Sequence, residues 1–220
     1  MEIILNIIHI VLHLDQYLGG WAQQMGPLFY VVLFLIIFAE TGLVLTPFLP
    51  GDSLLFAVGA VCALSDSQID VTYMGFILFV AALLGDNVNY QIGKRLGPKV
   101  FNKESSRLLN KNHLIKTQNF YETHGGKTLI LARFMPIVRT FAPFVAGIGQ
   151  MKFFNFISYS LVGAAAWISS FLFMGFYFGN RPEIKSNFHY VILAVIIISL
   201  LPLLISWLRT TSVFKPKLQK

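Results

Sequence analysis

The sequence predicts an all-α integral membrane protein, an inverted repeat of two re-entrant hairpins plus spanning helices, and three observations carry that prediction. First, the 220 residues are 55% apolar and only 12% charged, about half the roughly 25% charge of a soluble domain. The mean hydropathy of +0.67 agrees. Second, two apolar blocks are interrupted by proline, glycine and charge. Third, these blocks repeat: Thr46-Pro-Phe-Leu-Pro-Gly51 aligns with Ala142-Pro-Phe-Val-Ala-Gly147 at an offset of 96 residues.

Length limits the architecture to one membrane domain, because the apolar stretches leave room for only about four to six spans of roughly 20 residues. Residues 1–26 come first. Ile3 to Leu18 is apolar except at Asn6, His9, His13, Asp15 and Gln16, a spacing that gathers polarity on one helical face and predicts an interfacial helix. It lacks the basic flank and small-residue cleavage site of a secretory signal, so it is expected to stay on the mature chain.

The membrane domain is predicted over 27–208. Its first hairpin, about 28–64, contains Pro47, Pro50 and Gly51. Two prolines three residues apart remove backbone donors and disfavour helix before each, so no continuous span is expected there. Val71 to about Gly93 reads as a span. The second hairpin, 128–150, is broken by Arg133, Pro136, Arg139, Pro143 and Gly147. Phe153–Gly179 and Phe188–Leu208 then read as ordinary spans. Irregular backbone at membrane depth persists only inside protein or beside water, which favours re-entrant hairpins.

The formal net charge of +7 raises nucleic acid as a partner, but the location of the charge excludes it. Eight of the 17 basic residues lie between 94 and 127, and four more in the tail 209–220. Such juxtamembrane clusters mark the cytoplasmic side and attract anionic headgroups. Three apolar blocks separate the two basic segments, so an even number of crossings requires one block to enter and leave on the same side. The block 128–150 is the natural choice. With the second hairpin open to the cytoplasm, the first opens to the other face, and the repeats are inverted as in many secondary transporters.

The ionisable residues within these blocks are Glu40, Asp52, Asp86, Arg133 and Arg139. Each costs roughly 2.5–3.5 kcal/mol at a helix centre, so together they must pair or line a wet cavity. The plainer reading is that Glu40 and Asp52 only neutralise Arg133 and Arg139 and lock the hairpins together. The functional reading uses the same geometry. Arginine presents a charged fork suited to phosphate oxygens, and a carboxylate in apolar surroundings can exchange a proton near neutrality. Arg133 and Arg139 would bind an anion, and Glu40 and Asp52 would couple protons. Asp86 and Tyr90 are accessory candidates, with an interfacial structural role equally open. Gly93 with Gly97, and Gly175 with Gly179, offer small-xxx-small contacts.

Other motifs fail on inspection. Gly125-Gly-Lys-Thr128 lacks the first glycine of a phosphate-binding loop, since residue 121 is Tyr. His9 with His13, and His113 with His124, have no third ligand partner. Cys62 is the only cysteine and reads as a buried thiol. With no nucleophile or metal pattern, no enzyme activity, cofactor or metal is expected.

Three segments carry a family resemblance: Glu40-Thr-Gly-Leu-Val-Leu-Thr-Pro-Phe-Leu-Pro-Gly-Asp-Ser-Leu-Leu55, Gly85-Asp-x-x-x-Tyr90-x-x-Gly93, and Ala132-Arg-Phe-Met-Pro-Ile-Val-Arg-Thr-Phe-Ala-Pro-Phe-Val-Ala-Gly147. They resemble the DedA family over roughly residues 10–208. The resemblance implies a bacterial inner-membrane protein with two re-entrant hairpins, related to eukaryotic VTT-domain lipid scramblases. It also implies a link to the proton motive force and envelope homeostasis, and in some members to returning undecaprenyl phosphate across the membrane. The family's essential acids fall on Glu40 and Asp52, and its essential arginines on Arg133 and Arg139. The expected activity is a flippase for a polyprenyl phosphate or another anionic lipid. The competing classes are a proton-coupled exporter of small ions or drugs and a non-transporting assembly scaffold. Membrane lipids are the expected partners; the oligomeric state is left open, a homo-oligomer included.

Overall fold

The structure, a computed structural model, describes residues 14–43, 51–64, 67, 69–100, 126–179, 181, 190, 191, 193, 194 and 197. Residues 1–13, Pro47 and Pro50, most of the basic segment 94–127, most of the last expected span and the tail 209–220 lie outside the described residues. Every regular element among the described residues is an α-helix. In chain order they are α1 (Leu14–Met25), α2 (Leu28–Gly42), α3 (Gly51–Cys62), α4 (Val71–Val100), α5 (Lys127–Ala132), α6 (Pro136–Ile148) and α7 (Phe153–Gly179).

Two stretches, Val71–Gly97 and Phe153–Gly179, are long and apolar enough to cross a membrane. At a rise of about 1.5 Å per residue, α7 measures roughly 40 Å, more than the hydrocarbon core of about 30 Å. Their outer faces carry large apolar side chains such as Phe76, Phe154 and Val162, each more than half exposed. Outward-facing phenylalanine and valine suit lipid as the solvent. By contrast α2, α3, α5 and α6 are all too short to span alone.

α4 runs through Gly93 to Val100 without a break, further than the span read from the sequence. Gly93 does not end the helix. A Cβ at Gly93 would strike the Phe144 carbonyl, so its role is to admit another helix. α1 inserts fully buried Leu18 into the core while Tyr17 and Trp21 stay exposed, and Tyr30 at the start of α2 receives the Asp70 N–H at 3.1 Å.

These two long helices, α4 and α7, run antiparallel: Gly75 lies beside Leu172, and Asp86 beside Ser160. Each has a short helix lying along it from its own half of the chain. Gly42 of α2 meets Gly85 of α4, and Gly163 of α7 meets Ile130 of α5. The second limb of each broken segment then crosses over. α3 packs on α7, not on α4, and α6 packs on α4, not on α7.

These crossovers are equivalent residue for residue. A Cβ at Gly59 would overlap the Leu172 carbonyl, and at Gly175 the Phe56 carbonyl, with Gly179 against Ala60. In the other crossing, Gly147 meets the Tyr90 carbonyl, Gly93 the Phe144 carbonyl, and Gly97 lies against Ile148. Gly59 therefore corresponds to Gly147, and Gly175 to Gly93. This register differs from the 96-residue offset read from Pro-Phe and Gly, which equates Gly51 with Gly147. A Cβ at Gly51 would instead strike the Glu40 carboxylate and the Arg139 guanidinium. What repeats is a backbone-to-backbone crossing, which any suitably placed glycine permits.

Candidate functional site

The breaks deliver the charged residues. Glu40 sits in the last turn of α2, Asp52 in the first turn of α3, Arg133 caps the C-terminus of α5, and Arg139 lies in the first turns of α6. α6 opens on Pro136, whose fixed φ suits a first helical position and whose missing N–H loses nothing there. Pro143 lies within α6 and withholds the N–H that the Arg139 carbonyl would otherwise receive. Gly51 has room for no side chain because the Glu40 and Arg139 head groups already fill that space.

All five charged side chains are buried, between 1% exposed for Glu40 and 7% for Arg139. They form two groups. Arg139 reaches across to the first break, its Nη2 donating to Glu40 Oε1 and its Nη1 to Asp52 Oδ1. Arg133 instead donates to Asp86 Oδ2 of α4, with Ser160 of α7 completing the triangle: its hydroxyl donates to the same oxygen and receives Arg133 Nη2 at 3.1 Å.

Trp167 joins the groups. Its indole N–H donates to Asp52 Oδ1 at 2.8 Å. Its ring lies 4.7 Å from the Arg139 guanidinium carbon and 6.0 Å from that of Arg133. A guanidinium within about 6 Å of an indole centroid is attracted by the ring's negative face.

The sequence therefore proposed one partner set where the structure holds two. Arg139 meets both Glu40 and Asp52, as the functional and the plainer readings alike require. Arg133 meets neither, because Asp86 and Ser160 stand closer on the helices beside α5. Asp86 is an inner member of the cluster, not an interfacial residue. Tyr90, one turn further along α4, donates its hydroxyl to the Met151 carbonyl and stacks on Phe156 with ring centroids 4.3 Å apart. It fastens the turn between α6 and α7 and does not reach the charges. Gly147 lies in the α4 crossing. Pro143 lines a small cavity with Arg133, Arg139, Asp86, Ser160 and Phe156.

Both arginines thus line one small space. Glu40 Oε2, Asp52 Oδ2 and Arg139 Nε have no hydrogen-bond partner among the described residues. Buried polar atoms without partners are rare and costly, which sets this group apart from the apolar packing around it. No group of three or more His, Cys, Asp or Glu that could hold a metal occurs among the described residues.

Removing Asp86 tests the second group. Asp86→Ala leaves Arg133 buried with only a serine hydroxyl, and breaking a buried pair in this way costs about 3–5 kcal/mol. A marked fall in the detergent melting temperature is the expected result. The double variant Asp86→Leu with Arg133→Met, which removes both charges, should recover much of it. Equal losses in the single and double variants would mean that the pair is not what holds α5 to α4.

A buried cluster of opposed charges at the meeting of two helix breaks, flanked by two helices long and apolar enough to cross a membrane, marks an all-α membrane protein with a polar site buried among its helices. Residues 49–177 match the VTT domain. The chain is 46% identical over 209 residues to Protein DedA of Escherichia coli K12, covering 95% of each chain. It is 40% identical over 177 residues to an uncharacterized membrane protein of Mycobacterium tuberculosis, covering 80% of this chain and 78% of that one. It is 31% identical over 170 residues to the inner membrane protein YqjA of Escherichia coli, covering 74% and 76%. No solved structure matches. The chain belongs to the DedA family.

Proposed function

We propose that this protein carries an anionic lipid between leaflets of the bacterial inner membrane, a polyprenyl phosphate such as undecaprenyl phosphate being the substrate that fits best. The observation that supports this is the pair of buried arginines that line one small space at the point where two broken segments meet. Such breaks near mid-membrane are where secondary transporters bind substrate. A phosphate would take the Arg139 fork in exchange for the carboxylates that now occupy it, and Arg133 would close on it from the other side.

Electroneutrality supplies the coupling. Three carboxylates face two guanidiniums, so the buried cluster is neutral only with one added proton. Glu40 and Asp52, with their uncommitted oxygens, are the residues to carry it. A phosphate entering with its own negative charge would bring a further proton with it, which ties movement to the proton motive force. In this reading the protein is a carrier, not an enzyme. The short helices α2–α3 and α5–α6 are re-entrant hairpins opening to opposite faces, and the C-terminus is cytoplasmic.

Stability alone is a poor reason for such a cluster, because well-packed apolar residues commonly serve at least as well. One rival still has direct support. Both guanidiniums of the cluster already have a carboxylate, which is what a scaffold held by an ion-pair lock would show.

The deciding experiment reconstitutes the full chain into vesicles carrying a fluorescent polyprenyl phosphate. Wild type should move the label between leaflets, faster with a proton gradient than without. The exchange of Glu40→Arg with Arg139→Glu preserves a pair but reverses the site, and should not move it. Wild-type vesicles no faster than protein-free ones would refute the carrier reading. If the exchanged pair restores full function in cells, the lock is the better account.

A further inference from the structure

One buried amide has a place in this arrangement that neither the charges nor the breaks explain. Asn89 is fully buried on α4, one turn beyond Asp86. Its Nδ2 donates to the Thr41 carbonyl at 2.9 Å and to the Thr140 carbonyl at 2.7 Å. Thr41 directly follows Glu40, and Thr140 directly follows Arg139. A single side-chain NH2 therefore holds the backbone of both broken segments immediately beside the residues that form the ion pair across them.

The local chemistry fixes this orientation. A side-chain amide has two N–H donors on one nitrogen, and here both are spent on carbonyls. The opposite flip would point Oδ1 at two carbonyl oxygens. The Thr41 carbonyl lies in the last turn of α2, where backbone acceptors have no intrahelical partner. The neighbouring contact of Gly42 on Gly85 brings α2 close enough for Asn89 to reach it. On the other side, the α4–α6 crossing at Gly93 and Gly147 brings Thr140 to the same height.

We infer that Asn89 is a positioning residue that straps the two broken segments together and so sets the geometry of the Glu40–Arg139 pair from behind. It touches neither charged side chain in that pair and acts only through their backbone neighbours. α4 lies against the first segment through α2 and against the second through α6, so one donor on it can serve both.

Trp167 provides the readout. Its indole touches Asp52 and Arg139, and the chain has three tryptophans, so Trp21→Phe with Trp207→Phe leaves Trp167 as the sole emitter. In that background Asn89→Leu removes both donors. The expected result is a change in Trp167 emission in the same sense as Glu40→Gln produces, with no further change when the two are combined. Phe29→Ala, at the far end of α2, should lower the melting temperature and leave the emission in place. An unchanged emission in Asn89→Leu, or full additivity with Glu40→Gln, overturns the strap. If Asn89→Leu is not recovered folded, Asn89→Ser, which keeps one donor, is read in the same way.

A second measurement rests on the proposed function. Asn89→Leu should slow movement of the fluorescent polyprenyl phosphate by about tenfold or more, the equivalent of one lost buried contact at the site, and Asn89→Gln, which keeps both donors, should regain part of the rate. A wild type that moves no label refutes the carrier reading alone. The emission comparison needs no substrate and decides the strap in either case.

Discussion

Arg139→Ala is expected to abolish lipid movement and to remove much of the stability of the membrane domain. The substitution strips the only guanidinium from two buried carboxylates, Glu40 and Asp52. Breaking a buried pair costs about 3–5 kcal/mol, and losing the cation from the Trp167 face adds roughly 0.5–2 kcal/mol. A total of that size approaches a whole domain's stability of about 5–15 kcal/mol. Arg139→Lys separates the two effects. Lysine keeps the charge but is a point donor on a flexible stem, and cannot bridge two acids as a planar fork does. It should therefore recover most of the melting temperature and only part of the flux. Arg139→Ala moving the labelled lipid at the wild-type rate would remove Arg139 from any role in transport.

The second large effect is steric and graded. A Cβ at Gly147 would overlap the Tyr90 carbonyl, and one at Gly59 the Leu172 carbonyl, both backbone atoms that cannot turn aside. At Gly97 the nearest atom, the Ile148 Cα, is 3.1 Å away, and at Gly19 nothing lies within 4 Å. Overpacking costs typically about 1–3 kcal/mol and more where backbone must move. Gly59→Ala and Gly147→Ala should thus cost the most folded protein, with Gly97→Ala intermediate. Gly19→Ala should be neutral or stabilising by about 0.5–1 kcal/mol, because alanine is the better helix residue in open space. Detergent melting temperatures in that order support the two crossings. Equal effects at Gly147 and Gly19 would mean that the helices do not meet there.

The burial cost of charge made four of the five cluster residues readable from sequence as a group that must pair, and the same arithmetic flagged Asp86 without finding its partner. The reason is that pairing is decided by which helices lie side by side. Nothing in the spacing of residues 86 and 133 shows that α5 lies along α7 while Asp86 faces them both. Asn89 reads in sequence as one more polar residue near the end of an apolar stretch. Its importance depends on two carbonyls from opposite halves of the chain, and carbonyls leave no trace in a sequence. Trp167 was missed for a simpler reason: an indole in an apolar span looks like packing. The repeat was detected through the right segments at the wrong register, because letter identity followed Pro-Phe while the fold repeats the glycine crossings at Gly59 and Gly147. The small-residue pairs Gly93/Gly97 and Gly175/Gly179, weak as isolated signals, are what line those crossings.

The exchange of limbs between halves also sets an order of events at the ribosome. Asp52 precedes its partner Arg139 by 87 residues and Glu40 precedes it by 99, and α3 waits longer still for α7. At about 5–20 residues per second of synthesis, the first segment is made roughly 5–20 s before the cation that neutralises it exists. Through that interval its acids must stay protonated, remain near the headgroups or shelter in the insertion machinery. The N-terminal half cannot become a finished membrane domain by itself: nascent chains acquire this fold only when the second half threads back through the first.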